Sequence, residues 1–393
     1  MSSPIPPTAR QTRDLREVQG ADRSAAQSLW RTHAERRGAG GFLKKHLIPW
    51  LTHYLATVTL PRRPFAQFKP ESPVPHGIIN FPLQAKIGLA ADWGTGTDSA
   101  YRVGDLIASH SPDFTIHLGD VYYSGESDEY AKYFFAPNAW PKGRIRTFAL
   151  NANHEMYSGG EGYFDHVLAT LGQETSYFCL ENEHWRILGL DTGYYARTFP
   201  LLEPLLSGLI RLHSDIQKWL AEVVFANPND RRPAIALSHH QWFSSYDTEY
   251  HGVGSNLSSY FDRIFLWIWG HEHRFAAYGP FGFGGKTVRA RCIGHGGMPI
   301  ELKEKVTRDR PLLLTDRRKR EDVDGVALGF CGFAMLRFDG PQLNIEYRDE
   351  EDTLVFEEKW TSNKVGATGR KLSILEDAQV PALPTNDPTL WVP

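Results

Sequence analysis

Six side chains able to bind a metal ion stand directly behind apolar runs in this 393-residue chain. Asp92 follows KIGLAA, Asp120 follows FTIHLG, Asn153 follows RTFALNA, His239 follows AIALS, and His271 and His273 follow FLWIWG. An Asp behind one strand is ordinarily a helix cap, and a lone His is ordinarily a satisfied polar residue. Five strand ends carrying such groups together point to a shared ligand shell. The residue types suit two cations about 3.5–4 Å apart, an arrangement that clamps the attacking and the leaving oxygen of an in-line displacement at phosphorus. One carboxylate must bridge the ions, while imidazoles and an amide oxygen fill the other positions. Hard oxygen with borderline nitrogen donors fits iron, manganese or zinc better than calcium.

These groups need elements that bring strand ends together. The apolar runs alternate with segments of helical pattern, SAYRVGDLIASH and HSDIQKWLAEVV. That alternation indicates an α/β architecture, in which ligands bind beyond the carboxyl ends of the strands. The later runs TVRARCIG, GFAMLRF and PQLNIEY lack intervening helices and suggest a second, more antiparallel sheet. The expected fold is a four-layer α-β-β-α sandwich of two mixed sheets, with a dinuclear metal site at the strand C-terminal ends. Three regions are expected: a basic, proline-containing N-terminal extension (1–80), a catalytic domain (81–350) and a polar C-terminal tail (351–393) that wraps or frays. Residues 1–80 hold 12 Lys and Arg against 5 Asp and Glu, so that with −3 overall the remainder carries −10. Helical character runs from Arg13 to Arg37.

Composition excludes several classes. With 41% hydrophobic and 23% charged residues the chain is of ordinary globular make-up. The three cysteines, Cys179, Cys292 and Cys331, form no CxxC pair, so neither a disulfide scaffold nor a cysteine zinc site is expected. The start, MSSPIPPTARQTRDLREV, has no apolar signal region. The apolar stretch His46–Leu60 spans 15 residues, short of the roughly 20 that cross a bilayer. A soluble, cytoplasmic protein without a transmembrane segment is expected. The net acidity of the catalytic part argues against stable nucleic-acid binding. Neither GxSxG, GxxxxGK[ST] nor GxGxxG occurs in the chain, so a serine nucleophile, an ATPase and a dinucleotide enzyme have no support.

Taken together, ADWG, GDVYY, NANHE, SHHQ and GHEHR resemble the calcineurin-like metallophosphoesterase superfamily, and in detail the purple acid phosphatases. Most of that superfamily opens with Asp-x-His; here the motif is Asp92-Trp93-Gly94, which lacks the histidine ligand. Gly119-Asp120-Val121-Tyr122-Tyr123 matches the Gly-Asp-x-x-Tyr of purple phosphatases, whose phenolate fills that vacancy. The resemblance covers residues 85–350 and extends to LDTG (Leu190–Gly193) and SDIQKWL (Ser214–Leu220). It implies a first metal, Fe(III), held by Asp92, Asp120, Tyr123 and His273, with Asp120 bridging. A second, Fe(II), Zn(II) or Mn(II), would be held by Asn153, His239 and His271. It further implies that His154 acts at the leaving group as proton donor or phosphate contact, and that Glu155 orients an imidazole. Three positions depart from the family pattern or leave a choice. Ala152 stands where the family has Gly. In His239-His240-Gln241 the ligand is taken as His239, which directly follows its strand, leaving His240 to face the phosphate. Only one of the adjacent Tyr122 and Tyr123 can be a ligand, and spacing favours Tyr123.

The leading expectation is hydrolysis of small phosphomonoesters by a water made acidic between two metal ions. A phosphodiesterase on cyclic nucleotides, nucleotides or phospholipid headgroups uses the same site with a more open pocket. A non-catalytic scaffold is disfavoured by the complete ligand set. The aromatic, glycine-rich loops Met156–Phe164 and Gln241–Gly254 are expected either to stack on substrate or to pack on themselves, and the apolar Phe199–Ile210 segment to pack.

Overall fold

The computed structural model describes residues 61–69, 71–72, 75–196, 207–302, 305–323, 326–363 and 366–374. The helical pattern of Arg13–Arg37, most of Phe199–Ile210 and the last nineteen residues lie outside them.

In chain order the strands are β1 (Ile78–Asn80), β2 (Gln84–Ala90), β3 (Phe114–His117), β4 (Arg146–Ala149), β5 (Phe178–Glu181), β6 (Arg186–Gly189), β7 (Ala234–Ser238), β8 (Ile264–Trp269) and β9 (Phe275–Phe283). They continue with β10 (Lys286–Ile293), β11 (Leu312–Thr315), β12 (Glu321–Val323), β13 (Val326–Leu328), β14 (Gly332–Asp339), β15 (Gln342–Asp349), β16 (Leu354–Asn363) and β17 (Gly366–Ile374). One sheet has the order β1-β5-β6-β7-β8-β10-β9-β11 and the other β17-β16-β15-β14-β2-β3-β4, with β12 and β13 forming a separate hairpin. In the second sheet β2, β3 and β4 run parallel, and β14 to β17 extend it antiparallel. In the first, β6, β7, β8 and β10 run parallel.

Side-chain alternation turns the two sheets into a sandwich. Ile87, Leu89, Ile116 and Phe148 of one sheet meet Ile235, Leu237, Leu266 and Ile268 of the other in the central core. Outward-facing Ala90, Phe333 and Met335 pack with Val103 and Ile107 of helix α1 (Asp98–Ser109). Outward-facing Trp267 and Trp269 pack with Ile216, Trp219, Val253 and Leu257 on the opposite side. The expected four layers are therefore present. FTIH, AIALS and IFLWIW are buried along their whole length because each strand is covered on both faces.

Three expectations need correction. TVRARCI (β10) does not join GFAMLRF and PQLNIEY; it pairs parallel to β8 in the other sheet. The boundary at 350 falls inside a sheet, since β16 and β17 continue it. The segment LVFEEKWTSN looks polar because its buried face carries Glu358. That carboxylate, fully buried, takes Nη2 of Arg291 at 2.7 Å and Nε at 3.1 Å across the sandwich, with Tyr347 donating at 2.8 Å. The boundary at 80 likewise divides packed structure. Phe65 and Phe68 lie against Tyr177, Arg63 pairs with Asp165, and β1 adds to the sheet beside β5. Among the described residues no helix is long and apolar enough to cross a membrane.

Breaking a fully buried ion pair on one side leaves an uncompensated charge, at a cost of about 3–5 kcal/mol. Glu358→Ala should lower unfolding free energy by that amount in urea titrations; an effect below about 1 kcal/mol, typical of exposed pairs, would show that the tail contributes little to the sandwich.

Candidate metal centre

Six of the seven predicted ligands come from the ends of five strands, three residues from each sheet, and meet at one edge of the sandwich. Asp92, Asp120 and Asn153 follow β2, β3 and β4; His239, and the pair His271 and His273, follow β7 and β8. The turns that aim them are unusual. Asp92 (φ 55°), Asp120 (φ 71°) and His271 (φ 67°) all adopt left-handed backbone, a conformation that costs non-glycine residues energy and clusters at functional sites. Gly119 (φ 101°) precedes Asp120, and a Cβ there would lie 2.6 Å from the Ala152 methyl and 3.1 Å from His239 Nδ1. Only glycine admits that approach between the two ligand loops.

Asp120 stands at the centre. Its Oδ2 is 3.4 Å from His239 Nε2 and 3.7 Å from His154 Nε2, and its Oδ1 accepts the His154 backbone N–H at 3.2 Å. Asp92 Oδ1 lies 3.5 Å from His273 Nε2, and its Oδ2 accepts the His271 backbone N–H at 2.8 Å. His239 donates Nδ1–H to the Leu118 carbonyl at 3.0 Å, leaving Nε2 to face His271 Nδ1 at 3.2 Å. Potential donor atoms of Asp92, Asp120 and His239 fall within 4.8 Å of one another, as do those of His239, His240 and His271. Asn153 Oδ1 is buried with no hydrogen-bond partner, while its Nδ2 donates to Tyr157. A buried amide oxygen without a donor, and imidazole nitrogens of His239 and His271 aimed at each other, fit a pair of cations.

Burial opposes ionisation of Asp120, but His154, His239 and His271 outweigh it and hold the carboxyl well below the usual carboxylate range. Burial would lower His239, yet Asp120 beside it prevails and pushes the imidazole up to about 9. Burial, reinforced by Asp120, pushes Glu155 up to about 8.

The phenol lies one residue from where spacing put it. Tyr122, rather than Tyr123, turns its hydroxyl into the cluster, 3.0 Å from Asp92 Oδ1, 3.2 Å from Asp120 Oδ2 and 3.1 Å from His273 Nε2. Two-residue alternation does not hold in a turn whose preceding Gly119 and Asp120 are both left-handed. The Tyr123 main-chain N–H donates to Glu129, its carbonyl accepts His154 Nδ1–H at 2.6 Å, and its ring lies edge-on to that of Tyr122. Glu155 does not orient an imidazole. Its carboxylate accepts the backbone N–H groups of Asp120 (3.3 Å) and Val121 (2.9 Å) and the Tyr130 hydroxyl (2.8 Å), so it braces the Asp120 turn. His240 is fully buried, with its ring against His271 and Tyr250 and Nδ1 at 3.0 Å from Thr192 Oγ1.

Sequence reading overlooked several polar partners. The hydroxyl of Tyr250 is 2.9 Å from His271 Nε2. Asp191, in the LDTG segment, accepts Asn151 Nδ2 and the N–H groups of Gly193 and Tyr194, bracing the loop that leads to Asn153. Tyr157 and Tyr250 sit in the two aromatic loops already singled out; their hydroxyls, invisible to a hydrophobic pattern, are what reach the site.

Two mixed sheets with these donors gathered at one edge define an α/β protein with a candidate dinuclear metal centre. Residues 85–275 match the calcineurin-like phosphoesterase domain family. Such a domain, with candidate ligand groups in place, supports metal-dependent hydrolysis of phosphate esters. Solved structures that align with the chain include purple acid phosphatase PPD1 from yellow lupin (Lupinus luteus) seeds, at 17% identity over 71% of this chain and 54% of that one, TM-score 0.44. Others are PhoD, at 14% identity over 75% and 72%, TM-score 0.47, and a dimetal phosphatase from Danio rerio, at 11% over 74% and 99%, TM-score 0.41. The chain thus spans about half the length of the lupin protein. Among curated proteins, none matches it.

Two outcomes are expected. A coordinating imidazole must be unprotonated, so with His239 raised to about 9 in the metal-free protein, ion uptake releases a proton and tightens as pH rises towards 9. Calorimetric Mn(II) titrations at pH 6.5, 7.5 and 8.5 check this; a flat affinity would contradict the assignment of His239. Glu155→Gln, by disturbing the Asp120 turn, should weaken Mn(II) binding roughly 10–100-fold, measured by chelator competition.

Proposed function

We propose that the chain is a dinuclear metal-dependent phosphomonoesterase of purple acid phosphatase type. The observation that carries this reading is the meeting of both sheets' ligand loops around Asp120, which lies within 3.7 Å of His154 and His239 and within hydrogen-bond reach of Tyr122. In this reading Asp92, Asp120, Tyr122 and His273 hold one ion, and Asp120, Asn153, His239 and His271 hold the other. Burial and the adjacent Asp92 and Asp120 push the Tyr122 phenol well above its ordinary range. A phenolate there calls for a strongly charged partner, which favours Fe(III) at the first position, with Fe(II), Zn(II) or Mn(II) at the second. Bound cations would supply an acidified water and neutralise the phosphoryl oxygens.

The remaining chemistry belongs to side chains. His154 gives Nδ1–H to the Tyr123 carbonyl, which turns Nε2 towards the Asp120 side of the site. With its side chain 19% exposed, it can meet a substrate and, when protonated, hand a proton to the leaving oxygen. His240, walled in by Thr192, Tyr250 and His271, backs the ligands and does not reach substrate.

Protein purified without chelator should contain iron, show a tyrosinate charge-transfer band that Tyr122→Phe abolishes and Tyr123→Phe retains, and hydrolyse an aryl phosphate monoester faster than the diester. Colourless protein holding Mn or Zn and preferring the diester would replace this reading with a phosphodiesterase. Lack of turnover on either ester after reconstitution with Fe, Mn and Zn would leave a scaffold.

A further inference from the structure

Two of the ligands proposed for the second ion have a choice of which atom to present. The Asn153 amide has an oxygen that can coordinate and a nitrogen, nearly equal in shape, that cannot. A neutral His271 imidazole carries its proton on one nitrogen or the other, and only the bare nitrogen binds a cation. In each case a tyrosine hydroxyl meets the atom that would not coordinate. Within the short helix Asn153–Tyr157, Asn153 Nδ2 donates to the Tyr157 hydroxyl, one turn on, at 2.9 Å. This leaves Oδ1 buried without a hydrogen-bond partner. The Tyr250 hydroxyl lies 2.9 Å from His271 Nε2, while His271 Nδ1 faces His239 Nε2 at 3.2 Å. With the Tyr250 hydroxyl oxygen accepting from Nε2–H, the tautomer our proposal requires, the Nδ1 lone pair is directed at the site.

We propose that Tyr157 and Tyr250 are positioning residues that fix the coordinating atoms of Asn153 and His271, and so set affinity for the second ion separately from the first. The inference rests on the dinuclear reading above. The third ligand of that ion, His239, is fixed by the main-chain carbonyl of Leu118 and needs no side-chain partner for its tautomer. The two tyrosines come from different loops, each tied down independently. Tyr250 is buried beside Glu249, which takes Arg310 through both carboxylate oxygens at 2.6 and 2.8 Å. Its loop is also tied to the turn between His271 and His273 by Ser244 Oγ donating to Glu272 at 2.7 Å. Tyr157 is buried with its ring 4.8 Å from that of His154. Both hydroxyls are thus presented by packed rings, as an orienting role requires.

The test uses the full chain loaded with Mn(II) and challenged with a graded chelator, counting ions retained per chain. Tyr157→Phe and Tyr250→Phe, which remove only the hydroxyl, should each weaken one of the two ions roughly 10–100-fold. The other ion's affinity and the metal-free melting temperature should not change. Asn153→Asp supplies two equivalent oxygens, so in that background Tyr157→Phe should lose its effect on the ion. Equal weakening of both ions, no weakening of either, or a Tyr157→Phe penalty that persists beside Asn153→Asp would overturn the proposal. A wild-type chain that never holds two ions would instead overturn the dinuclear reading beneath it.

Discussion

Asp92 and Asp120, at most 1% exposed, are sequestered together with a single phenol hydroxyl within reach of both. Removing two carboxylates from water is costly unless opposite charge and hydrogen-bond donors meet them. Nearly every feature of the ligand edge answers that constraint. Backbone N–H groups of His271 and His154 point at the two carboxylates, and His239 and His154 lower the pKa of Asp120. The turns that carry both acids are left-handed. Such a site is held together by the surrounding fold, so its strain and its capacity to hold cations share one origin.

The sandwich supplies the rigidity. Ligand loops from two sheets meet because the apolar faces of β2, β3, β7 and β8 are locked against each other in one core. Across that sandwich the buried Arg291–Glu358 pair joins β10, whose end leads to the Gly294 turn beside Asp92, to β16. A strand far beyond the last ligand in sequence is therefore part of the frame that fixes the site.

Much of this was legible in the residues. Largely apolar runs of five to seven residues followed by Asp, Asn or His marked the parallel strands, since a strand buried on both faces has little polar alternation to obscure it. What misled was polarity with a partner. Glu358 made β16 look like a tail because a buried charge reads as exposed until its arginine is located on another strand. Likewise TVRARCI carries two arginines, of which Arg291 is fully buried, and its sheet could not be chosen from its pattern. Glu155, one residue from a histidine and two from an asparagine ligand, read as an imidazole partner, whereas its carboxylate turned to the backbone of a different loop.

Sequence alone determined the α/β class, the six candidate donors at strand ends and the edge at which they gather, because these follow from local residue type and from where each strand stops. Tertiary structure alone decided which of two adjacent tyrosines enters the cluster, which nitrogen of His239 is turned inward, and which hydroxyls hold Asn153 and His271. The first two choices depend on atoms 30 or more residues away, Asp92 opposite Tyr122 and Leu118 opposite His239, and the others on hydroxyls that a packed loop or turn must present. Side-chain direction in an irregular turn is set by such partners and not by the spacing of the chain that carries it.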